Sequence, residues 1–446
     1  MAESRIKGCS QDHVIYPRTT KQDLANGISI ITRAEGIRIF DQQGKSYLDL
    51  VSGWTRPVHI GYARKEMAQT LYDQAMQMHY FTPMQYGNLR AIELAAVLAD
   101  LSPGDINQFL FVCDGSEAVE SALKLAKHYH HYRGERWRFK VVSRRGAFHG
   151  VTGGALRVLG SVLPTRQMME PLPPGTIFAE SPYCYRCPIH LSYPSCDIAC
   201  ARDVERLIQF EDPSQVTCFV GESIQQVFGA CAPPPEYWPI IREICSRYGI
   251  LIIVDEVICG FGRTGKWFGI QHFDMQPDML MMAKGISSGY VPLGALGATD
   301  AVVEGVEHFA NLQTYMNHPI ACAAGLKNIE IIKRENLVEN ARAMGQYFLD
   351  GLKSLERGHP IVGQARATGL WAALDLTTDR ATHAPFPADR LQRIVDRAKA
   401  KGMIIKFMNM ALEFAPALVV TRAEIDEAIR ILDECLAEEE RAMGVH

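Results

Sequence analysis

Apolar positions along this chain recur with two different periods, and the change from one to the other divides it into regions. From residue 15 to residue 50 apolar and polar positions alternate, with turn residues at Asn26-Gly27, Gly36 and Asp41 to Gly44. GIRIFDQQGKSYLDL reads as a hairpin in which RIF and SYLDL are joined by a turn through Gly44. The next stretch, SGWTRPVHIGY, sets Trp54, Arg56 and His59 among Gly and Pro and reads as a loop. Helical spacing then appears over Lys65 to Met78 (Met67, Leu71, Ala75, Met78) and again over Asn88 to Leu101, ended by Pro103-Gly104.

From Asn107 onward short apolar runs alternate with amphipathic ones. QFLFVC, FKVVS, TCFVGESI, ILIIVDEV and MLMMAKG read as buried strands; a long helix follows the first, and YWPIIREICSRYG is a helix before ILIIVDEV. Such alternation predicts an α/β fold with a mostly parallel sheet covered by helices on both faces. After Pro319 a long helix runs from about Ala321 to Leu355, broken or bent near Glu335-Asn336. The tail holds a strand in TGLWAALDL, a helix in ADRLQRIVDRAKAKG, a strand pair around MIIKF and LEFAP, and a closing helix from Arg422. The expected division is residues 1–70 as the amino-terminal part of a small domain, 71–320 as a large domain, and 321–446 as the rest of the small domain. No internal repeat or low-complexity tract interrupts this pattern.

The run from Gly249 to Gly294 carries the first chemical signal. Ile250 to Val254 is β-branched and apolar and ends in two carboxylates, Asp255 and Glu256. Ligands of α/β sheets bind at the carboxyl ends of strands. Further on, Lys284 follows the apolar run MLMMA, where it is either solvated at a strand end or held dry for amine chemistry. A strand-end carboxylate and such a lysine are the pair that pyridoxal 5'-phosphate (PLP) requires: the carboxylate faces the protonated ring nitrogen and the lysine forms the Schiff base. The same two residues also fit a structural ion pair.

Composition narrows the classes of protein. At 446 residues, with 47% hydrophobic and 22% charged residues, the chain suits a soluble protein of one large domain and a smaller one. A formal charge of −4 carries no basic signature, so nucleic acid is not an expected partner. MAESRIKGCSQDHVIYP lacks an apolar secretory core, and no apolar run approaches the roughly 18 residues of a membrane span. Twelve cysteines, several inside apolar runs, read as reduced cytosolic thiols, so a cytoplasmic location is expected.

Three further motifs are ambiguous alone. Asp114-Gly115-Ser116-Glu117 between strand and helix offers backbone N–H groups and a hydroxyl to a phosphate, or is an ordinary cap made by Ser116 or Asp114, with Glu120 in the first turn. Gly260 to Gly265 matches GxGxxG, but Asp255 to Cys259 separate it from the strand and no helix follows, so it reads as a turn shaping the site. Cys184, Cys187, Cys196 and Cys200, in SPYCYRCPIHLSYPSCDIAC, are either zinc or iron–sulfur ligands or an ordered loop of free thiols.

Taken together these segments resemble the class III (ornithine/GABA/ω-amino acid type) PLP-dependent aminotransferases of fold type I, over nearly the whole chain. VDEVICGFGRTG and AKGISSGYVPLGALGAT are close to the family signature, DGSEAVESALKLA is similar to its phosphate-cradle helix, and FHG to its aromatic clamp. TYMNHPIACAAG and VGQARATGLWAALDL resemble its TYSGHP and VGDVRGxGL segments. The resemblance implies a PLP fold type I large domain and a smaller α+β domain formed from both chain ends. It implies Lys284 as the Schiff-base lysine and proton shuttle, and Asp255 as the partner of the ring nitrogen. Gly115 and Ser116 would cradle the phosphate, Phe148 would stack on the ring with His149 supporting it, and Ile258 would pack near it. Thr314 would reach the phosphate of a neighbouring subunit, which implies a homodimer with shared active sites.

The implied reaction is ping-pong transamination between a small amino donor and an oxo acid; a PLP-dependent lyase or an aminomutase on the same fold is the alternative, kept open by departures at Lys406 and Asn317. Lys406 stands where the family commonly carries a carboxylate-binding arginine, and PAL at Pro416 to Leu418 replaces PPL. Arg56 falls where many members have an aromatic residue facing the substrate. It is expected either to contact a substrate anion or to be a structural loop arginine. Glu222 of GESIQQ takes the glutamate of the family's EP motif and is expected to pair with a cation and gate the pocket.

Overall fold

A computed structural model of the chain describes residues 13–17, 19–25, 27–161 and 164–445. Most of the amino-terminal stretch read above for a secretory core, and Asn26 of the Asn26-Gly27 turn, lie outside these residues. The first three strands, β1 (Ile31–Glu35), β2 (Arg38–Asp41) and β3 (Ser46–Asp49), form an antiparallel meander. Asp41 builds the β2–β3 turn expected at Gly44, because its Oδ1 accepts from Gln43 N and Lys45 N while Tyr47 Oη donates to Oδ2. Gly44 itself has φ +83, the left-handed conformation such a turn requires.

The central sheet contains β4 (Ile106–Val112), β5 (Lys140–Arg144), β6 (Thr176–Ala179), β7 (Val216–Glu222), β8 (Leu251–Asp255), β9 (Met279–Met282) and β10 (Gly294–Thr299). Its order is β4-β10-β9-β8-β7-β5-β6, with β5 to β9 paired in parallel and β10 antiparallel to both its neighbours. Strands β7, β8 and β9 are buried at every position, which is why they read as continuous apolar runs rather than as alternation. The patterning does not reveal β6 or β10. GALGAT is rich in Gly and Ala, which carry little strand preference; its glycines are needed where neighbours press close, a Cβ on Gly294 falling 2.3 Å from Asp114 O.

Helices Gly115–Tyr132, Ala199–Phe210 and Tyr237–Tyr248 connect these strands. The second is also absent from the sequence reading, its buried stripe of Ala201, Val204 and Ile208 being short and set among charges. Helices Lys65–Gln77 and Leu89–Leu101 pack on Pro319–Arg334. Asn336, at φ +52, then breaks the chain before Leu337–Gly358, at the bend expected near Glu335-Asn336.

The carboxy-terminal part contributes β11 (Val362–Thr368), β12 (Trp371–Asp379), β13 (Ala384–Pro385), β14 (Met403–Ile404), β15 (Lys406–Met408) and β16 (Ala411–Phe414). The strand expected in TGLWAALDL is β12; β11, just before it, escapes the sequence reading because Gln364 and Arg366 interrupt its apolar pattern. β11-β12-β16-β15 form an antiparallel sheet with β13 at the edge of β12, while β14 pairs in parallel with β3 and joins the two chain ends. Helix Ala388–Ala400 precedes β14, and Arg422–Met443 closes the chain behind a capping box of Thr421 and Glu424. The whole is an α/β fold with one large, mostly parallel sheet and smaller mixed ones. Among the described residues no helix is long and apolar enough to cross a membrane.

Helix Leu337–Gly358 lies against β11 so closely that a Cβ on Gly345 would stand 2.2 Å from Gly369 O, on backbone that cannot yield. Replacing Gly345 by Ala is expected to cost about 1–3 kcal/mol and to lower Tm in calorimetry. Gly358→Ala, where a Cβ meets nothing, should leave Tm unchanged. Equal Tm values for the two variants would contradict this packing.

Candidate active site

Three adjacent parallel strands deliver three charged residues to one edge of the sheet. Glu222 ends β7, Asp255 ends β8 directly opposite it, and Lys284 follows β9, whose Met281 pairs with Asp255. A cavity of about 490 Å³ opens at this edge, within the range of small-molecule sites. Gly115, Ser116, Phe148, His149, Glu222, Asp255, Ile258 and Lys284 all line it; Arg56, Lys406 and Thr314 do not.

Asp255 and Glu256, neighbours in sequence, have different surroundings. Asp255 faces the cavity: Val257 N donates to its Oδ1 at 2.9 Å and His149 Nδ1 to its Oδ2 at 2.7 Å. His149 Nε2 is buried in the cavity wall with no partner, an orphan that calls for a ligand or water. Glu256 turns away and accepts from Gly269 N and Ile270 N, each at 2.7 Å, so it braces the loop beyond. Burial pushes its carboxyl up to about 7.

Lys284 has φ +50, a strained conformation for a residue with a Cβ and one that active sites often hold. Its side chain makes no hydrogen bond among the described residues. Enclosure by the protein, then the nearby Arg56 charge, lowers its pKa to about 8, so a neutral amine is accessible near physiological pH.

The opposite wall is the start of helix Gly115–Tyr132. Asp114 is its cap: Oδ1 accepts from Glu117 N at 2.9 Å and its backbone O from Ala118 N, which leaves the Gly115 and Ser116 N–H groups turned to the cavity end. Of the two candidate caps, Asp114 is therefore the one used, with Glu117 in the first turn, while Glu120 instead accepts from Gly154 N at 2.6 Å. A Cβ at position 115 would crowd the Val257 side chain at 3.1 Å, so glycine makes this approach with the least strain. Phe148 and Ile258 supply the apolar flanks.

Glu222 is buried, its Oε2 4.0 Å from Arg144 Nη2, and Gln226 N donates to its Oε1 at 3.1 Å. Burial raises its pKa to about 7, with His149 and Arg144 pulling it back. Arg144, at the end of β5, is fully buried beside Trp238 and donates to Glu222 O. Nothing in FKVVSRR marks it, since its role depends on the pairing of β5 with β7.

Arg56 and Lys406 converge instead on Glu413, which the sequence reading passes over. Glu413 is wholly buried on β16, opposite Lys406 on β15. Arg56 Nε donates to its Oε1 at 2.6 Å and a second contact joins Nη2 to Oε2; Lys406 Nζ lies 3.5 Å from Oε2. Despite burial, Arg56 and Lys406 hold its carboxyl down to about 2, while burial and Arg56 push Lys406 down to about 7. Thr314 is exposed and outside the cavity wall; its backbone O accepts from Tyr80 Oη at 2.7 Å.

The glycine-rich segment Gly260 to Gly265 forms turns, not a dinucleotide loop. Arg263 within it is buried and donates to Leu370 O and Pro416 O, tying the loop to the carboxy-terminal sheet. Cys184, Cys187, Cys196 and Cys200 line one small cavity of about 20 Å³ as free thiols, and no metal-binding group of side chains occurs among the described residues.

Residues 20–436 match the family model for aminotransferase class-III. The chain belongs to the class III aminotransferases. It is 34% identical to a putrescine–pyruvate aminotransferase of Pseudomonas aeruginosa, over 96% of this chain and 94% of the relative. It is 36% identical to a taurine–pyruvate aminotransferase of Bilophila wadsworthia, over 94% of each. A solved ω-transaminase from Pseudomonas jessenii, in complex with PMP, superposes with a TM-score of 0.92 at 32% identity, covering 97% of this chain and 98% of that one. This class III aminotransferase uses PLP and moves an amino group from a donor to an oxo acid.

The cavity fits that cofactor on its own observations. It offers an anion site at a helix start opened by a glycine, an orphaned His149 Nε2, a hydrogen-bonded carboxylate at a strand end, and a lysine with a lowered pKa. Because the neutral amine is the nucleophile, PLP uptake by the apoprotein, followed by absorbance, should accelerate as pH rises to about 8 and level off above it. A rate that keeps climbing towards pH 10 would mean that Lys284 has an ordinary pKa.

Proposed function

We propose that Lys284, Asp255, His149, Gly115 and Ser116 are the cofactor-holding and catalytic set of this aminotransferase, with an amine or ω-amino compound as donor and a short oxo acid such as pyruvate as acceptor. The observation that carries the reading is the juxtaposition of Asp255 and a partly deprotonated Lys284 across one cavity at the ends of β8 and β9. PLP, when bound, supplies an electron sink for the negative charge left when the carbon bearing the amine loses its proton. Lys284 Nζ anchors the cofactor and then takes and returns that proton. Asp255, held by Val257 N and His149, would present its carboxylate to the ring nitrogen. Gly115 and Ser116 hold the phosphate with backbone N–H groups and a hydroxyl. Phe148 and Ile258 confine the ring and exclude water. The putrescine–pyruvate relative supports an amine donor, and it and the taurine–pyruvate relative support pyruvate as acceptor.

The same reading makes the enzyme a cytosolic homodimer. Met76, Phe81, Met84, Tyr86, Leu312 and Tyr315 are all exposed, and the Tyr80–Thr314 hydrogen bond ties their two segments together. That apolar surface is covered by a second copy, and Thr314 reaches the partner's phosphate site. The small domain is drawn from residues 1–70 and 321–446, around the large domain of 71–320.

Donor added alone to the PLP-loaded enzyme should convert its absorbance to the pyridoxamine form, and pyruvate should restore it. Ammonia released in step with donor loss, without acceptor, would defeat the transaminase reading. Lys284→Ala should reduce turnover by at least about a thousandfold, the scale of losing both a nucleophile and a general base. Sedimentation should give twice the chain mass, and Thr314→Ala should weaken PLP retention in dialysis without dissociating the dimer; a monomeric active enzyme would refute shared sites.

A further inference from the structure

Behind the cavity wall stands a charge cluster that amino transfer by itself does not require. Glu413 accepts from Nε and Nη2, one edge of the Arg56 guanidinium, and, at 2.7 Å, from Trp371 Nε1. Arg56 Nη1 donates to Gln226 Oε1 at 3.2 Å, and Lys406 Nζ donates to Trp54 O at 2.8 Å. The cluster adjoins the cavity on three sides. Thr55 and Pro57, which flank Arg56, line it; Gln226 N donates to Glu222; and Trp371 packs with Ile224 and Ile258 of its wall. Ser52, Gly53, Trp54 and Arg56 have φ of +45, +71, +68 and +71, so a tightly wound loop aims Arg56 at Glu413.

We infer that Glu413 is an internal anion that occupies the Arg56 guanidinium and so sets this enzyme against donors carrying a distal carboxylate or sulfonate. The inference rests on the cavity being the amine site. A carboxylate binds an arginine through two parallel N–H donors; Glu413 fills the Nε/Nη2 edge and Gln226 Oε1 accepts from Nη1, so neither edge is left open to a second anion. Opening the pair would strand a carboxylate that is wholly buried, with a lysine 3.5 Å away as its remaining cation, and separating a buried pair is costly. A donor with a distal acid group, which would use the guanidinium fork, finds it taken, whereas an amine without such a group loses nothing.

Methanesulfonate, which cannot react, is the probe, titrated calorimetrically into the PLP-loaded protein. Wild type should bind it weakly. Glu413→Gln, which keeps the shape but removes the charge, should bind it at least about tenfold tighter, the gain expected from freeing one charge-assisted contact. The double variant Arg56→Gln/Glu413→Gln should lose that gain. In donor half-reactions the ratio of taurine to 1-phenylethylamine conversion should rise in Glu413→Gln in the same sense. If Glu413→Gln fails to fold, Glu413→Asp, too short to keep both guanidinium contacts, takes its place with the same expected direction. Unchanged methanesulfonate affinity in the folded variant, or a gain that survives loss of Arg56, would overturn the inference. Binding of an inert anion needs no turnover, so failure here is distinct from failure of the transaminase reading, which would show as no pyridoxamine formation.

Discussion

The parallel pairing of β7, β8 and β9, in a register that sets Glu222 against Asp255 and brings Lys284 just past Met282, is the constraint on which the site depends. Because these strands are buried on both faces, a slip of one residue would drive charged groups into the sheet interior. Register is therefore set by hydrophobic burial, and the positions of the chemical groups follow from it. The apolar runs hold the sheet; their last residues, where the chain leaves the interior, are where ionisable groups can stand at tolerable cost.

The electrostatics of the cavity come in two layers. Closest to the ligand space are Asp255, steadied by His149 and Val257, and Lys284, whose ammonium is disfavoured by enclosure and by Arg56. Behind them lies the Arg56–Glu413–Lys406 cluster, whose carboxylate joins those of Asp255 and Glu222 in offsetting the effect of Arg56 on Lys284. The two layers are linked, so the residue that governs substrate charge also bears on the lysine that does the chemistry.

Several expectations from the sequence concern residues whose meaning lies in local spacing, and these are found where expected: the hairpin turn at Gly44, the helix start at Gly115, the break at Asn336 and the glycine-rich turn beside Asp255. What escaped is of another kind. β10 is mostly Gly and Ala, which carry little strand preference, and it forms because β4 and β9 pair with it on both sides and press close at Gly294 and Gly297. Arg144 looks like one more charge at the end of a strand until β7 is placed beside it.

The sequence alone determined most of the elements, the strand-end carboxylate and lysine, and the cofactor they imply, because hydrophobic period and short motifs act over a few residues and are written in order along the chain. Tertiary structure decided what those charges do. Asp255 and Glu256 are adjacent in sequence, yet one faces the cavity and the other braces a loop, since each takes the hydrogen bonds that the folded backbone presents to it. Arg56 lies far from Glu413 in the chain, and their pairing exists only once β16 is set behind the loop of Trp54. Ion pairs of this kind depend on distance through space and on exclusion of water, and neither quantity is carried by the order of residues.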